Sequence, residues 1–473
     1  MKIKEKKIYI LILIIFCILS VLIALKHEAW SDEAHAWLIA RDTSFYTLFF
    51  KYLHTDGHPA LWHIILKLFQ FLGGTYETVF ILPIIISTAG VGVFLFKSKF
   101  PLYLKMIIPF TYFIFFQYTI VVRGYCVIFL LVCLLATLWE VRKNKCFQFS
   151  FILLLLISSE AYTYVFSGII YLYYLYDYYK ERNSLKNKKQ YAICLIVLLI
   201  FFIITFLYVC PISTNTFKPH IKSYYVSDSF VTPRIIDNKI KIIISLLLII
   251  SSIIFFIKNK NRNGLLFTFC LLFPVWCFYT IFYYNTWHLG IMLIFTIFII
   301  WVQKLEDKKP IKIFLVIVSV IQLYWNISTC IYDVNYKYSS GLEVANFIKK
   351  YDYNEMIIYG SSFGDSAVNP YFDKNIFDNW NKDIGFFYWN TQNKFYNHDF
   401  NEQFILNDKP DMVVTSDLYA KLNYQLLSNL YNEYVFESYS YTEDFLYENM
   451  TMRVYVKKSI DKKGKIEEVK ENA

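Results

Sequence analysis

The chain has 473 residues, of which 57% are hydrophobic and 20% aromatic, and its formal net charge is +10. A soluble protein of this length buries its core with a smaller share of apolar residues. The apolar residues come in blocks of about 18–20, the length of helix that crosses a hydrocarbon layer of about 30 Å. The composition excludes an ordinary soluble enzyme and predicts a polytopic α-helical membrane protein.

The charge is divided between two regions. Residues 331–473 have a net charge of −7, from 15 Lys and Arg against 22 Asp and Glu, whereas residues 1–330 have +17, from 32 against 15. A basic excess among apolar segments follows the positive-inside rule and indicates topology, so we expect a lipid bilayer and no nucleic acid as a partner. The nine cysteines all lie at or before Cys330 without a C-x-x-C pattern, which argues against a disulfide or zinc framework.

Eleven spans are predicted in residues 1–330, which we interpret as a transmembrane domain. The first, at 8–25, follows a lysine-rich start and precedes no small-residue cleavage site, so the N-terminus is expected in the cytoplasm. The other predicted spans are 78–96, 102–120, 124–141, 147–160, 161–179, 191–210, 239–257, 265–283, 287–303 and 311–330. With this count, every basic cluster between spans lies on the cytoplasmic side. The first external loop is then 26–77, with two interfacial amphipathic stretches at 34–53 and 59–72.

The sequence changes character after residue 330. Short apolar runs at 356–359, 412–415 and 451–456 predict strands, and helical spacing occurs at 342–350 and 418–430. Alternating strands and helices predict an extracytoplasmic α/β domain over 331–458. The Lys- and Glu-rich residues 459–473 are expected to form a charged flexible tail.

The first predicted external loop contains two adjacent carboxylates, Asp32 and Glu33, and about 25 residues later the pair His58-Pro59. Adjacent residues on a helix cannot point the same way, so one carboxylate faces a cavity while the other caps the helix or binds a metal. A partly desolvated carboxylate has a raised pKa and suits a general base. Two alternatives remain open: the acidic pair is only a helix start, and His58 is only a surface residue before a helix that Pro59 begins.

Three segments together resemble the GT-C membrane glycosyltransferases, in particular the bacterial relatives of protein O-mannosyltransferases and of lipid A aminoarabinose transferase. The segments are Trp30-Ser31-Asp32-Glu33-Ala34, His58-Pro59-Ala60-Leu61-Trp62 and Arg123-Gly124-Tyr125. Ala60 replaces the second proline of the family pattern. Trp287-His288 lacks the arginine of the Arg-His pair that often opens a late span in that family, which puts a phosphate contact there in doubt.

The resemblance implies an inverting glycosyltransferase, a multi-pass protein of the cytoplasmic membrane. It would transfer a sugar from a polyprenyl-phosphate donor to a glycan, lipid or protein acceptor of the cell envelope on the outer face. Asp32 and Glu33 would be the catalytic residues, with Asp32 as the base. The candidate ligands of the donor phosphate are Arg123, His58, His288, Lys222 and Arg234. Glu33, His58 and His220 are the candidate ligands of a divalent metal ion, which some relatives use.

Other classes of protein are weighed against this one. A transporter or channel predicts ionisable residues within the spans, which are nearly free of them here. A polysaccharide polymerase or ligase typically has a large late external loop rich in Arg and His. A non-catalytic scaffold would be insensitive to Asp32→Asn. Glu160, at a predicted outer corner, is expected in water, and Gly360-Ser361-Ser362-Phe363-Gly364-Asp365 is too short to be interpreted as a phosphate loop.

Overall fold

The computed structural model describes residues 3–210 except 184 and 186, and residues 286–464 except 381–382, 390–399, 418–419 and 439–449. The protein is mostly helical, at 67%, with a small C-terminal sheet. The predicted spans 239–257 and 265–283 lie outside the described residues, as do His220, Lys222 and Arg234.

Helices α1–α11 form the N-terminal part. They are α1 (Ile3–Ala24), α2 (Ser31–Asp42), α3 (Leu61–Phe71), α4 (Ile81–Lys97), α5 (Leu102–Ile107), α6 (Tyr125–Leu138), α7 (Cys146–Ile157), α8 (Tyr164–Glu181), α9 (Lys188–Val209), α10 (Thr286–Val302) and α11 (Lys309–Asn335). Among the described residues, four helical segments are long and apolar enough to cross a membrane: Ile3–Ala24, Tyr76–Lys97, Lys188–Val209 and Lys309–Asn335. Each coincides with a predicted span, which is consistent with a membrane protein; the count of eleven spans stays a prediction.

The span predicted over 102–120 is not one continuous helix. After α5 the chain makes a 3-10 turn at Ile108–Phe110, becomes extended at Thr111 (φ −70°, ψ 152°), and continues as a π-helix over Phe113–Ile120. Pro109 explains the break, because proline has no amide N–H to donate and its ring collides with the preceding helical turn. The π-helix is buried throughout and leads into the corner 121–124 before α6.

The first loop, 26–77, contains α2, three short helical turns (Phe45–Thr47, Leu48–Tyr52 and Leu53–Asp56) and α3. Gly57 ends the last of these turns with φ +77°, a conformation that glycine adopts without steric cost. Lys67 of α3 donates a hydrogen bond of 2.6 Å to the carbonyl of Ala40, and another to that of Thr43. A cation on the last carbonyls of a helix is favourable, so α3 holds the end of α2.

The C-terminal part forms a four-stranded sheet in the order β1-β2-β4-β3. The strands are β1 (Ile358–Gly360), β2 (Met412–Ser416), β3 (Tyr431–Phe436) and β4 (Met452–Lys457), and the helices are α12 (Gly341–Lys350), α13 (Glu402–Asp408) and α14 (Tyr424–Leu427). β1 and β2 are parallel, whereas β4 is antiparallel to both of its neighbours. The three predicted strands are present, but β3 and α13 were not predicted.

Two expectations for this part need correction. The helix predicted over 418–430 is reduced, within its described residues, to the single turn α14, which begins where the Asn423 side chain accepts a hydrogen bond from the amide of Gln425. The start of the segment expected to be a flexible tail packs against the sheet. Asp461 is 1% exposed and accepts hydrogen bonds from Asn432 and Tyr434.

The C-terminal part packs directly on α2. Arg41 donates a hydrogen bond of 2.6 Å to the carbonyl of Phe372, and the Asp42 carboxylate accepts one of 2.6 Å from the amide of Gly385. The rings of Tyr52 and Phe386 meet edge to face with centroids 4.9 Å apart. The sheet domain therefore covers the first loop, where the acidic pair lies.

Candidate active site

The two adjacent carboxylates have different environments. Glu33 is 1% exposed, and its Oε1 accepts hydrogen bonds from the amide of Trp30 (3.1 Å) and from the ring of His27 (3.2 Å). Its Oε2 accepts one of 2.6 Å from the amide of Val122. The bond to Trp30 is the helix-capping alternative, and the bond to Val122 ties the start of α2 to the corner 121–124.

Asp32 forms an ion pair that is partly open to solvent. Its Oδ2 lies 2.5 Å from Nη1 of Arg123, and the two side chains are 20% and 12% exposed, respectively. The guanidinium lies over the rings of Tyr125 (5.1 Å to the centroid) and Trp287 (5.5 Å). Burial disfavours the charged guanidinium, but the carboxylate of Asp32 and the weaker field of other acidic groups more than compensate, so the pKa of Arg123 is raised. Arg123 therefore stays charged.

Glu160 is a member of this site, and the expectation that it lies in water is wrong. Glu160 is 4% exposed, and its Oε2 is 2.7 Å from Nδ1 of His58. The amide of Leu61 bonds the carbonyl of Ser158 at 3.1 Å, which joins the His-Pro segment to this corner. Burial lowers the pKa of His58, but the adjacent carboxylate outweighs it and raises the pKa to about 9. His58 is consequently an imidazolium at neutral pH.

Gly124 allows these segments to come together. A Cβ atom on Gly124 would lie 3.0 Å from the Cβ of Trp62 and 3.6 Å from Oε1 of Glu160. A contact of 3.0 Å is closer than carbon atoms tolerate without displacement. An alanine between Arg123 and Tyr125 would therefore require Trp62 to shift by a few tenths of an ångström.

A second cluster surrounds Asp56, which precedes the His-Pro segment. Oδ1 of Asp56 is 3.5 Å from Nε2 of His35, and Oδ2 is 3.5 Å from Nε2 of His63; all three side chains are less than 10% exposed. These distances are too long for good hydrogen bonds but support a strong electrostatic interaction. Burial opposes the charge of Asp56, but the surrounding imidazoles lower its pKa below the usual range. No role was predicted for these residues from the sequence, because their contacts join side chains of different helical segments and a single histidine gives no signal of its own.

His288 lies at the start of α10, beside the same group of rings. It stacks on Tyr162 with ring centroids 3.8 Å apart and lies 6.0 Å from the ring of Tyr125, over which Arg123 is placed. Arg123 and His288 thus lie beside the same ring, that of Tyr125, while Asp32 pairs with Arg123 and His58 pairs with Glu160.

The residues predicted as metal ligands do not fit that role well. Both carboxylate oxygens of Glu33 accept hydrogen bonds from groups of the protein, and Nδ1 of His58 faces Glu160. Within the described parts of the chain, no group of three or more His, Cys, Asp or Glu side chains is arranged to hold a metal ion. A divalent ion therefore stays a prediction, and we derive no step through it.

In the segment 360–365, the Asp365 side chain binds the backbone amides of the same segment. Oδ2 of Asp365 accepts hydrogen bonds from the amides of Ser361 (2.5 Å) and Ser362 (2.7 Å) and from the Ser361 hydroxyl. The amides that a phosphate would need are therefore already bonded. Burial raises the pKa of Asp365 to about 7, and its Oδ1 has no hydrogen-bond partner among the described residues.

Searches of protein-family models, of curated proteins and of solved structures find no match to this chain. The described residues form a mostly helical structure with helices long and apolar enough to cross a membrane, a small sheet domain, and a cluster of carboxylates, imidazoles and a guanidinium.

Proposed function

We propose that the protein is an inverting glycosyltransferase of the GT-C type, which transfers a sugar from a polyprenyl-phosphate donor to a glycan, lipid or protein acceptor of the cell envelope. In this proposal it has eleven spans in the cytoplasmic membrane, with the first loop and the sheet domain outside. The observation that carries it is the partly exposed pair of Asp32 and Arg123, which places a candidate base beside a candidate phosphate ligand.

The positive charges near Asp32 suit the leaving group. The donor phosphate has one negative charge, and it gains a second as its bond to the sugar breaks, so the transition state is stabilised by fixed positive charge. Arg123 offers a planar guanidinium that matches phosphate oxygens, and His58, charged by its contact with Glu160, supplies a second cation. His288 adds an imidazole ring, which lies 6.0 Å from the ring of Tyr125.

The transfer itself is a single displacement. Asp32 takes the proton of the acceptor hydroxyl, the acceptor oxygen forms a bond to the anomeric carbon, and the bond from that carbon to the phosphate oxygen breaks with its electron pair. The products are the glycosylated acceptor, with inverted configuration, and polyprenyl phosphate. A phosphate that binds Arg123 competes with Asp32 for the guanidinium, so donor binding frees the base.

The first test compares the wild type with Asp32→Asn in membranes supplied with radiolabelled polyprenyl-phosphate sugars. Transfer of label to lipid, glycan or protein is expected in the wild type and is expected to fall by about 100-fold or more in the variant, which has no general base. Asp307→Asn, at an exposed aspartate, is the matched control and should transfer like the wild type.

Two results would contradict the proposal. Transfer that persists in Asp32→Asn means that Asp32 is structural. A wild type that transfers nothing from any donor tested favours the transporter or scaffold classes instead.

A further inference from the structure

His27, in the short segment between α1 and α2, bridges two buried carboxylates. Its Nδ1 is 3.0 Å from Oδ1 of Asp333, near the end of α11, and its Nε2 is 3.2 Å from Oε1 of Glu33. The side chains of His27, Asp333 and Glu33 are 4%, 1% and 0% exposed, respectively. The bridge thus joins the ends of the first and last described long helices to the first turn of α2.

The bridge requires a charged imidazole. A neutral imidazole has one N–H and donates to one carboxylate only, whereas the imidazolium donates to both. Burial lowers the pKa of His27, but the charges and hydrogen bonds of Asp333 and Glu33 outweigh it and raise the pKa well above the usual value. Other ionisable neighbours among the described residues are Glu28, whose pKa burial raises to about 7, and Tyr338, whose ring stacks on the imidazole with centroids 6.4 Å apart.

Glu33 connects the bridge to both members of the candidate catalytic pair. Glu33 follows Asp32 directly on α2. Its Oε2 accepts a hydrogen bond from the amide of Val122, the residue before Arg123. A change at His27 therefore shifts Asp32 through α2, and it shifts Arg123 through the corner 121–124.

We infer that His27 is a positioning residue, which holds Glu33 and through it sets the distance and orientation of Asp32 relative to Arg123. The inference rests on the proposed function for its consequence in catalysis, but the bridge itself is testable without any transfer. Asp333 is the second half of the bridge, because it keeps the imidazole charged and anchors it to α11.

The test uses His27→Gln and Asp333→Asn in the full chain, with Asn335→Ala at an exposed position of the same helix end as the control. The first measurement is hydrogen–deuterium exchange, corrected for intrinsic rates, of the amides of Trp30 and Val122 that bond Glu33. In His27→Gln their exchange is expected to rise about 10-fold, since the carboxylate that accepts both bonds is no longer fixed by a cation.

The second measurement is the rate of transfer from the donor. In His27→Gln, kcat is expected to fall about 10–100-fold, because a small misplacement of a reacting group is costly. Donor KM is expected to change less than kcat, because His58, the second candidate phosphate ligand, is held by Glu160 and not by the bridge. In Asp333→Asn, which leaves His27 bonded to Glu33, kcat is expected to fall by a smaller factor.

The outcomes separate the two claims. Unchanged amide exchange in His27→Gln overturns the bridge, and faster exchange with wild-type kcat reduces His27 to a structural role, which also overturns the inference. A wild type without transfer activity refutes the proposed function, and the exchange measurement still decides whether the bridge holds the start of α2. Asn335→Ala should change neither quantity.

Discussion

Asp32 and Glu33 are neighbours in the chain, yet the regions around them differ in how completely their polar atoms are bonded. Around Glu33, both carboxylate oxygens accept bonds from fixed donors, and the side chain is hidden from solvent. Around Asp32, one cation contacts one oxygen, and a fifth of the side chain is open to solvent. A buried carboxylate that three donors hold suits a structural role, whereas a partly exposed carboxylate with one partner is better placed to accept a proton; a catalytic role of Glu33 stays a prediction.

The same contrast applies to the two cations. The imidazolium of His27 bonds two carboxylates and has no spare donor, since both ring nitrogens are engaged. Arg123 uses one nitrogen on Asp32, and its planar face lies over two rings, so further N–H groups remain for an incoming anion. Each prediction below tests one side of this comparison.

The largest effect is expected for Glu33→Gln. The glutamine NH2 group would face another donor, either the amide of Val122 or those of Trp30 and His27, so one hydrogen bond is replaced by a repulsive contact. The substitution also removes one partner of a buried ion pair, which costs about 3–5 kcal/mol. The apparent unfolding temperature of the detergent-purified protein should fall clearly. Asp32→Asn, at the more open pair, is the comparison and should lower it less, because a fifth of the Asp32 side chain is open to solvent. Equal losses in both variants would end the distinction between the two carboxylates.

A smaller, pH-dependent effect is expected for Glu160→Gln. His58 keeps its charge up to a pKa of about 9 because Glu160 faces it, so the contribution of this pair is complete below about pH 6.5 and is lost as the pH rises through 9. Without the carboxylate, the pKa of His58 falls back, and donor KM should rise about 10-fold at pH 8 and little at pH 5.5.

The control for this prediction is Glu140→Gln, where the side chain is 64% exposed and pairs with Lys304. It should leave donor KM unchanged at both pH values. A KM that rises equally at pH 5.5 and 8 in Glu160→Gln would show that Glu160 does not act through the charge of His58.

The smallest effect is expected for Asp365→Asn in the sheet domain. The pKa of this carboxyl is raised to about 7, so folding favours its protonated form, and its contribution to stability falls as the pH rises from about 4 to 7. The asparagine oxygen can still accept from Ser361 and Ser362, so we expect stability within about 1 kcal/mol at pH 7. The difference in unfolding temperature between the variant and the wild type should vary between pH 4 and 7. A constant difference would contradict the raised pKa of Asp365.

The sequence located the acidic pair and the long apolar helices, because long apolar blocks and an acidic pair beside them are local signals. It left open which carboxylate faces the cavity, since that depends on Arg123, 91 residues from Asp32. Glu160 was placed in water for the same reason: its partner His58 is 102 residues distant. The break at Pro109 was missed because hydropathy does not register the loss of one amide N–H.

The sheet domain shows the same limit. The buried strands β2 and β4 were predicted from continuous apolar residues, whereas β3 is an edge strand of mixed burial and has a weaker pattern. Leu427 and Leu430, which suggested a helix, lie instead on a single turn and the bend that leads into β3.

The bond between Asp42 and the amide of Gly385 joins residues 343 positions apart. A ribosome that adds about 5–20 residues per second completes α2 roughly 17–70 s before its partner exists. During that interval the acidic pair has no cover from the sheet domain, and the arrangement of Asp32, Arg123 and Glu33 is not supported from that side. Activity should therefore appear only when the last third of the chain has been made, and truncated products of interrupted synthesis should be inactive.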